Sequence, residues 1–137
     1  MRIKNAPRHR CALEALEDRR LLSAAIDNGD DNDLLYDAAN HTTWMAYYDS
    51  ASQSLKVRSR ADGSAWSADT VLDAPSGLQV GRYPSIAQSA NGTIGVAYYD
   101  ASNADLKYVE RNVSTGVWGT PEIADSGGRS GSYPSLA

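Results

Sequence analysis

Two pairs of adjacent tyrosines are the residues of this sequence best suited to contact a ligand. Tyr47 precedes Tyr48, and Tyr98 precedes Tyr99. Aromatic side chains offer a large apolar face with a polar tip, so Tyr48 and Tyr99 are candidates for stacking on a sugar in a lectin-like groove. Their recurrence at equivalent positions of a repeat favours packing in a core instead.

Metal chemistry has little support in the sequence. His9 and His41 are isolated, without Cys, Asp or Glu at ligand spacing, so no zinc site is predicted. Residues 27–33 are rich in aspartate, but Gly29 is the third residue from Asp27 and the twelfth is Ala38, which does not match a calcium loop. We therefore expect residues 27–33 to be a solvated acidic linker, and we predict no metal or other cofactor.

The charge is unevenly distributed along the chain. Residues 1–24 carry six Lys/Arg against three acids, and the remainder carries seven basic residues against fourteen acidic ones. An acidic body repels phosphates, so no nucleic acid partner is expected. No apolar run approaches the roughly 20 residues of a membrane span. Cys11 is the single cysteine and can form no internal disulfide.

The head of the chain contains a short ordered pattern. Residues 13–24 read Leu-Glu-Ala-Leu-Glu-Asp-Arg-Arg-Leu-Leu-Ser-Ala, and their charges interrupt the apolar stretch that a secretory signal needs. The segment closely resembles the LEPR-xLL leader motif of many predicted extracellular proteins of planctomycete bacteria, with Glu17-Asp18 where Glu-Pro is usual. The resemblance implies that residues 1–26 are an export-type leader, helical or disordered, and that the protein is extracellular or in the cell envelope.

An internal repeat organises the rest of the chain. Asn40–Asp49 recurs as Asn91–Asp100 at an offset of 51, and Tyr83–Ala87 recurs as Tyr133–Ala137 at an offset of 50. Residues 34–137 therefore form a β-repeat region. It holds unit one at about 34–83, unit two at about 84–133, and the start of a third unit at 134–137.

Each unit is expected to contain four antiparallel strands. In unit two the predicted strands are 84–88, 93–100, 106–111 and 118–124, and Asn91-Gly92 is a strong hairpin signal. The strand 93–100 carries no charge on either face before its terminal Asp100, so both of its faces must be covered. This predicts an all-β fold of two four-stranded units, stacked as blades of an incomplete β-propeller. A two-layer sandwich is the main alternative.

The repeat also has a familiar pattern. Tyr-Pro-Ser-Ile-Ala at 83–87 and Val-Ala-Tyr-Tyr-Asp at 96–100 resemble tandem repeats of bacterial extracellular proteins, which are regarded as propeller-like and distantly similar to sialidase-type propellers. Residues 59–66 are similar to the structural Asp-box turn of that family, with the aspartate one place late. Arg82-Tyr83-Pro84 is similar to the Arg-Ile-Pro signature of one substrate-binding arginine, but Ser132 replaces that arginine in the next repeat.

These observations favour a non-catalytic module with a structural or interaction role, as a fragment of a longer propeller protein. Two blades are fewer than the about 4–8 that close a propeller, so exposed blade faces are expected to self-associate or to bind a protein or glycan partner. A carbohydrate-binding fragment is one alternative, and a degenerate sialidase-like enzyme is another. Because a single candidate arginine cannot grip and process a substrate, we do not expect an enzyme.

Overall fold

The computed structural model describes residues 31–137, so the predicted leader and residues 27–30 of the acidic linker lie outside the described residues. Two four-stranded antiparallel sheets make up this part of the chain. Sheet 1 consists of β1 (Asn32–Asp37), β2 (Thr42–Asp49), β3 (Ser54–Ala61) and β4 (Thr70–Asp73). Sheet 2 consists of β5 (Val80–Gln88), β6 (Ile94–Asp100), β7 (Asp105–Arg111) and β8 (Glu122–Asp125). The strands follow one another in chain order within each sheet, which confirms the predicted all-β fold.

The sequence repeat is also a repeat of strand register. Tyr48 lies opposite Leu55 in sheet 1, and Tyr99 lies opposite Leu106 in sheet 2. The pairing with the fourth strand then shifts directly after Leu55 in sheet 1 and directly after Leu106 in sheet 2. The two sheets are therefore copies of one meander, including its irregularities.

The second strand of each sheet is buried on both faces, as its lack of charge predicted. In β6 the residues from Ile94 to Tyr98 are all buried, and in β2 the residues from Met45 to Tyr48 are buried. Successive side chains point to opposite faces of a strand. Each second strand therefore contributes to two separate packing layers.

The first strand of sheet 2 is longer than predicted. The structure starts β5 at Val80, whereas the sequence pattern suggested Pro84. Two register shifts interrupt its pairing with β6, and Gly81 and Tyr83 have φ values of +98° and +50°. Such bulged positions break the alternation of side chains on which strand prediction relies.

The fourth strand of sheet 2 is shorter than predicted. The expected strand was 118–124, but β8 begins at Glu122, directly after Pro121, which has no N–H to donate. Trp118 makes only an isolated bridge to Arg111. At the other end of the described chain, β1 includes Asn32 and Asp33, two residues of the predicted acidic linker.

The two sheets pack face to face around one apolar core. Sheet 1 contributes Ala46, Leu55 and Val57, and sheet 2 contributes Ile94 and Val96 among others. Within residues 31–137 there is no helix long and apolar enough to cross a membrane.

Candidate functional site

The two faces of each unit can be named from equivalent residues. The front face carries Met45, Tyr47 and Lys56 in sheet 1, and their equivalents Val96, Tyr98 and Lys107 in sheet 2. The back face carries Ala46, Tyr48 and Leu55 in sheet 1, and Ala97, Tyr99 and Leu106 in sheet 2. These assignments follow from cross-strand pairing, because directly opposite residues share a face.

The core joins unlike faces of the two units. The back-face residues Ala46 and Leu55 of sheet 1 share one buried cluster with the front-face residues Val96 and Tyr98 of sheet 2. Met45, on the front face of sheet 1, belongs to a separate cluster. The units therefore stack front to back, as successive elements of an array do, and one face of each sheet remains on the outside.

A buried polar cluster fixes this stacking. The Tyr98 hydroxyl on the front face of sheet 2 donates to Asp73 of β4 at 2.7 Å, and the Lys107 ammonium pairs with the same carboxylate. Burial, together with the hydrogen bond to Asp73, raises the pKa of the Tyr98 phenol well above its usual range. The hydroxyl therefore stays protonated as a donor.

Residues 132–137 make a contact with sheet 2 that is equivalent to a contact between the two sheets. The Ile86 backbone N–H donates to the Asp33 carboxylate at 2.9 Å, and the Leu136 N–H donates to the Ser85 hydroxyl at 3.1 Å. Pairing with the second strand places Ser85 where Asp33 stands in sheet 1.

Two glycines make the same repetition visible in the backbone. A Cβ at Gly81 would lie 2.7 Å from the Leu55 Cα, and a Cβ at Gly131 would lie 2.8 Å from the Leu106 Cα. Both glycines also have a left-handed φ, +98° and +94°. The chain therefore crosses from sheet 2 to residues 132–137 as it crosses from sheet 1 to sheet 2.

The front face of sheet 1 is covered by its own long side chains. Arg58 lies 5.7 Å from the ring centroid of Tyr47, and Arg60 lies 5.1 Å from that of Trp66. Tyr47 and Arg58 both hydrogen-bond to Asp69. These contacts leave the aromatic rings that pack with Met45 shielded by cationic side chains rather than by another sheet.

Lys56 is the third cationic side chain on the front face of sheet 1. Its ammonium pairs with Asp49, and the hydrogen bond from Lys56 lowers the pKa of the Asp49 carboxyl to about 2. Lys56, Arg58 and Arg60 thus give the front face of sheet 1 three cationic side chains, of which Lys56 pairs with Asp49 and Arg58 with Asp69.

The back face of sheet 2 is aromatic and acidic. Tyr83 stacks between Tyr99 at 6.4 Å and Tyr133 at 4.2 Å, measured between ring centroids. The acids on this face are exposed, and they are Glu110, Glu122 and Asp125.

The two candidate ligand-stacking residues have different surroundings. Tyr48 is only 3% exposed, its hydroxyl accepts a hydrogen bond from Gln79, and Arg82 lies 5.3 Å from its ring centroid. No face of the Tyr48 ring is open to a sugar. Tyr99 is half-buried against Tyr83. Because the two residues lie on back faces of different sheets, they do not form a common platform.

A polar cleft separates the two sheets at their hairpin end, between the β1–β2 and β5–β6 turns. It has a volume of about 590 Å³. Trp44 and Arg111 line it, with the guanidinium 5.0 Å from the Trp44 ring centroid, and Gln88 and Asn91 contribute amides. Trp118 meets the edge of the Trp44 ring at 6.1 Å. The cleft thus combines an aromatic ring, a cation and amide groups.

Sequence reasoning missed the cleft, because Trp44 has no aromatic equivalent in the repeat and Arg111 has an equivalent in a different environment. Trp44 corresponds to Gly95, and Arg111 corresponds to Arg60, which lies on an outer face. A repeat comparison highlights what the units share, whereas this cleft depends on where they differ.

The other residues singled out in the sequence make contacts within the described part of the chain. Arg82, the candidate substrate-binding arginine, lies 3.5 Å from Asp31 and contacts the Tyr48 ring. His41 lies beside the Tyr36 hydroxyl and Asp62. Within the described part of the chain, no group of His, Cys, Asp or Glu side chains is arranged to hold a metal ion.

The segment that resembles an Asp-box forms a turn. The Ser64 N–H donates to the Ala61 carbonyl, Gly63 has a φ of +73°, and Trp66 packs on Met45 and Tyr47. Comparison with known proteins finds no matching family model and no matching curated protein.

Proposed function

We propose that this chain is a non-catalytic structural or interaction module of an extracellular or envelope-associated protein, and that its units stack as blades of a β-propeller. The observation that carries the proposal is the front-to-back packing of the two sheets. A two-layer sandwich needs only two complementary faces, whereas an array needs every unit to offer one face of each kind. The repeated contacts of residues 132–137 on sheet 2 support an array.

The surroundings of Arg82 support a non-catalytic role. The resemblance to sialidase-type propellers gives this arginine the task of gripping a substrate carboxylate. Its guanidinium instead lies against Asp31 and the Tyr48 and Tyr83 rings. An arginine engaged in this way holds the junction between sheets.

The proposal is tested by lengthening the array. Residues 82–131 are duplicated directly after Gly131, so that the copy begins at the position equivalent to Arg82. In a repeat array each added unit contributes its own stability and one more interface. The three-unit chain is therefore expected to unfold at higher denaturant concentration, with a steeper dependence on denaturant.

The matched control carries Val96→Asp in the duplicated unit alone. Val96 is fully buried in the interface between the sheets, so the aspartate prevents the added unit from stacking without changing the length of the chain. If the three-unit chain is no more stable than this control, the sheets form a fixed pair and the proposal is wrong.

Carbohydrate binding is the second candidate function, and the cleft beside Trp44 is the observation that favours it. Aromatic rings, guanidinium groups and amides commonly line the binding sites of polar ligands. Titration of the chain with glycans, followed by tryptophan fluorescence, tests this function. Saturable binding that is lost in Arg111→Gln but kept in Arg129→Gln would establish the cleft as the site. Binding that is equal in both variants would dissociate it from the cleft.

A further inference from the structure

The two ends of the described stack expose opposite faces of the same repeat. The front face of sheet 1 and the back face of sheet 2 are on the outside, and the internal interface joins one face of each kind. We propose that the front face of sheet 1 in one copy binds the back face of sheet 2 in a second copy, and so repeats the internal interface between chains. The inference rests on the front-to-back stacking of the proposed function. Such a head-to-tail contact produces rings or open filaments.

The first reason is a matched set of polar groups. Asp73 on the back of sheet 1 accepts hydrogen bonds from Tyr98 and Lys107 on the front of sheet 2. Cross-strand pairing identifies the equivalent of Asp73 as Asp125, which lies opposite Leu106 as Asp73 lies opposite Leu55. The equivalents of Tyr98 and Lys107 are Tyr47 and Lys56. Docking therefore brings Asp125 of one copy to Lys56 of a second copy, whose ammonium it shares with Asp49, and to Tyr47, whose hydroxyl already donates to Asp69.

A second pair of charges is matched at the hairpin end of the sheets. Arg111 of sheet 2 lies over Trp44 of sheet 1. Its equivalent Arg60 lies over the Trp66 ring and forms no ion pair within residues 31–137. The equivalent of Trp44 is Gly95, which lies directly opposite the exposed Glu110. The guanidinium of Arg60 in a second copy thus reaches Glu110, and opposite charges meet across the new interface.

Apolar surface gives the third reason. Leu34 of β1 is 52% exposed, whereas its equivalent Ile86 of β5 is 5% exposed because sheet 1 covers it. Docking covers Leu34 in the same way. Arg58 stands where the buried Val109 stands in sheet 2, and its charge is neutralised by Asp69. The contact therefore buries no unpaired cation at that position.

Residues 132–137 compete with the second copy. They lie on the back of sheet 2, in the position equivalent to that of β5 on the back of sheet 1. In the proposed contact β1 of a second copy has to bind at this same place on the back of sheet 2. Their attachment is slight, since it rests on the Leu136–Ser85 hydrogen bond and on Tyr133, which is 74% exposed and stacks on Tyr83. Removal of residues 132–137 is therefore expected to strengthen association.

Sedimentation velocity over a series of concentrations tests the inference on the full chain. Arg60→Glu and Glu110→Arg are each expected to weaken association at least tenfold, which corresponds to about 1.4 kcal/mol. A mixture of the two variants is expected to recover association, because each altered face then meets its opposite charge. Arg129→Glu is the control, since it makes the same change of charge at an exposed residue outside the strands of both sheets.

Thermal melting of each variant establishes that it is folded. If a charge variant fails to fold, the test rests on the chain without residues 132–137, which is expected to associate more strongly than the full chain. The inference is overturned if the full chain and the shortened chain are both monomeric at every concentration. It is also overturned if the mixture of variants associates no better than either variant alone. Monomeric chains together with a stabilised three-unit chain would overturn this inference and leave the proposed function standing.

Discussion

Replacing Gly81 by alanine tests the junction between the two sheets most directly. The residue has a φ of +98°, and the Cβ of an alanine would lie 2.7 Å from both the Cα and the N of Leu55. Those atoms belong to the backbone of β3, which pairs with strands on both sides and cannot withdraw without disturbing both pairings. The substitution therefore combines backbone strain with a steric clash.

Gly77 provides a matched control. It also has a left-handed φ, +73°, but a Cβ at Gly77 would have nothing within 4 Å. Gly77→Ala then carries only the cost of the left-handed backbone, about 1–2 kcal/mol, offset by about 0.4–1 kcal/mol from the restricted unfolded chain. We expect a net loss of about 0–1.6 kcal/mol.

Gly81→Ala carries that cost and a further about 1–3 kcal/mol for overpacking. The difference between the two variants should correspond to a shift of about 4–8 °C in Tm for each kcal/mol. Thermal melting measures the shift in Tm, and urea unfolding followed by tryptophan fluorescence measures the difference in the free energy of unfolding, with an unchanged m value as the sign that both variants remain two-state. If Gly81→Ala is no less stable than Gly77→Ala, the chain does not cross against Leu55, and the front-to-back stacking of the sheets is wrong.

Three further predictions concern the interface, the pH dependence and the leader. Tyr98→Phe removes the donor to Asp73 and is expected to lower the free energy of unfolding by about 1.5–3 kcal/mol, the usual range for a hydrogen bond to a charged group. Urea unfolding measures this loss, and a value below about 0.5 kcal/mol would contradict the contact. Lys56 lowers the pKa of Asp49 to about 2 from an ordinary value of 3.8. The stability from this pair is therefore present above pH 3.8 and is lost as the pH falls towards 2. The Tm values of Asp49→Asn and of the unaltered chain should converge over that interval. Residues 1–24 are predicted to direct export, and recovery of the full-length chain only from the cytoplasm of the native host would count against the leader.

The meander of each unit could be predicted because its signals are local. Asn91-Gly92 marks the turn before β6, and the uncharged run that follows requires cover on both faces. The recurrence of the same pattern from Asn40 then gives sheet 1 by analogy. Local patterns of this kind determine strands and turns well, because side-chain alternation and turn chemistry act over a few residues.

The junction between units could not be predicted in the same way. Val80–Tyr83 looks like a loop in the sequence, since Gly81 and Arg82 interrupt the apolar pattern before Pro84. In the structure these residues are paired with β6 across two register shifts. Their conformation is decided by the close approach of Gly81 to Leu55, a contact between residues of different units that the local sequence does not record.

The paired tyrosines connect the sequence repeat to the stacking. Because neighbours on a strand point to opposite faces, each pair gives its unit one hydroxyl on the front and one on the back. The interface between the sheets uses both kinds: Tyr98 donates to Asp73 from the front of sheet 2, and Tyr48 accepts from Gln79 at the back of sheet 1. Tyr47 and Tyr99 hold the corresponding positions on the two outer faces. In the described interface the tyrosine pairs therefore contribute one hydroxyl from each unit, and we expect the same use of both hydroxyls wherever a further unit stacks on this pair of sheets.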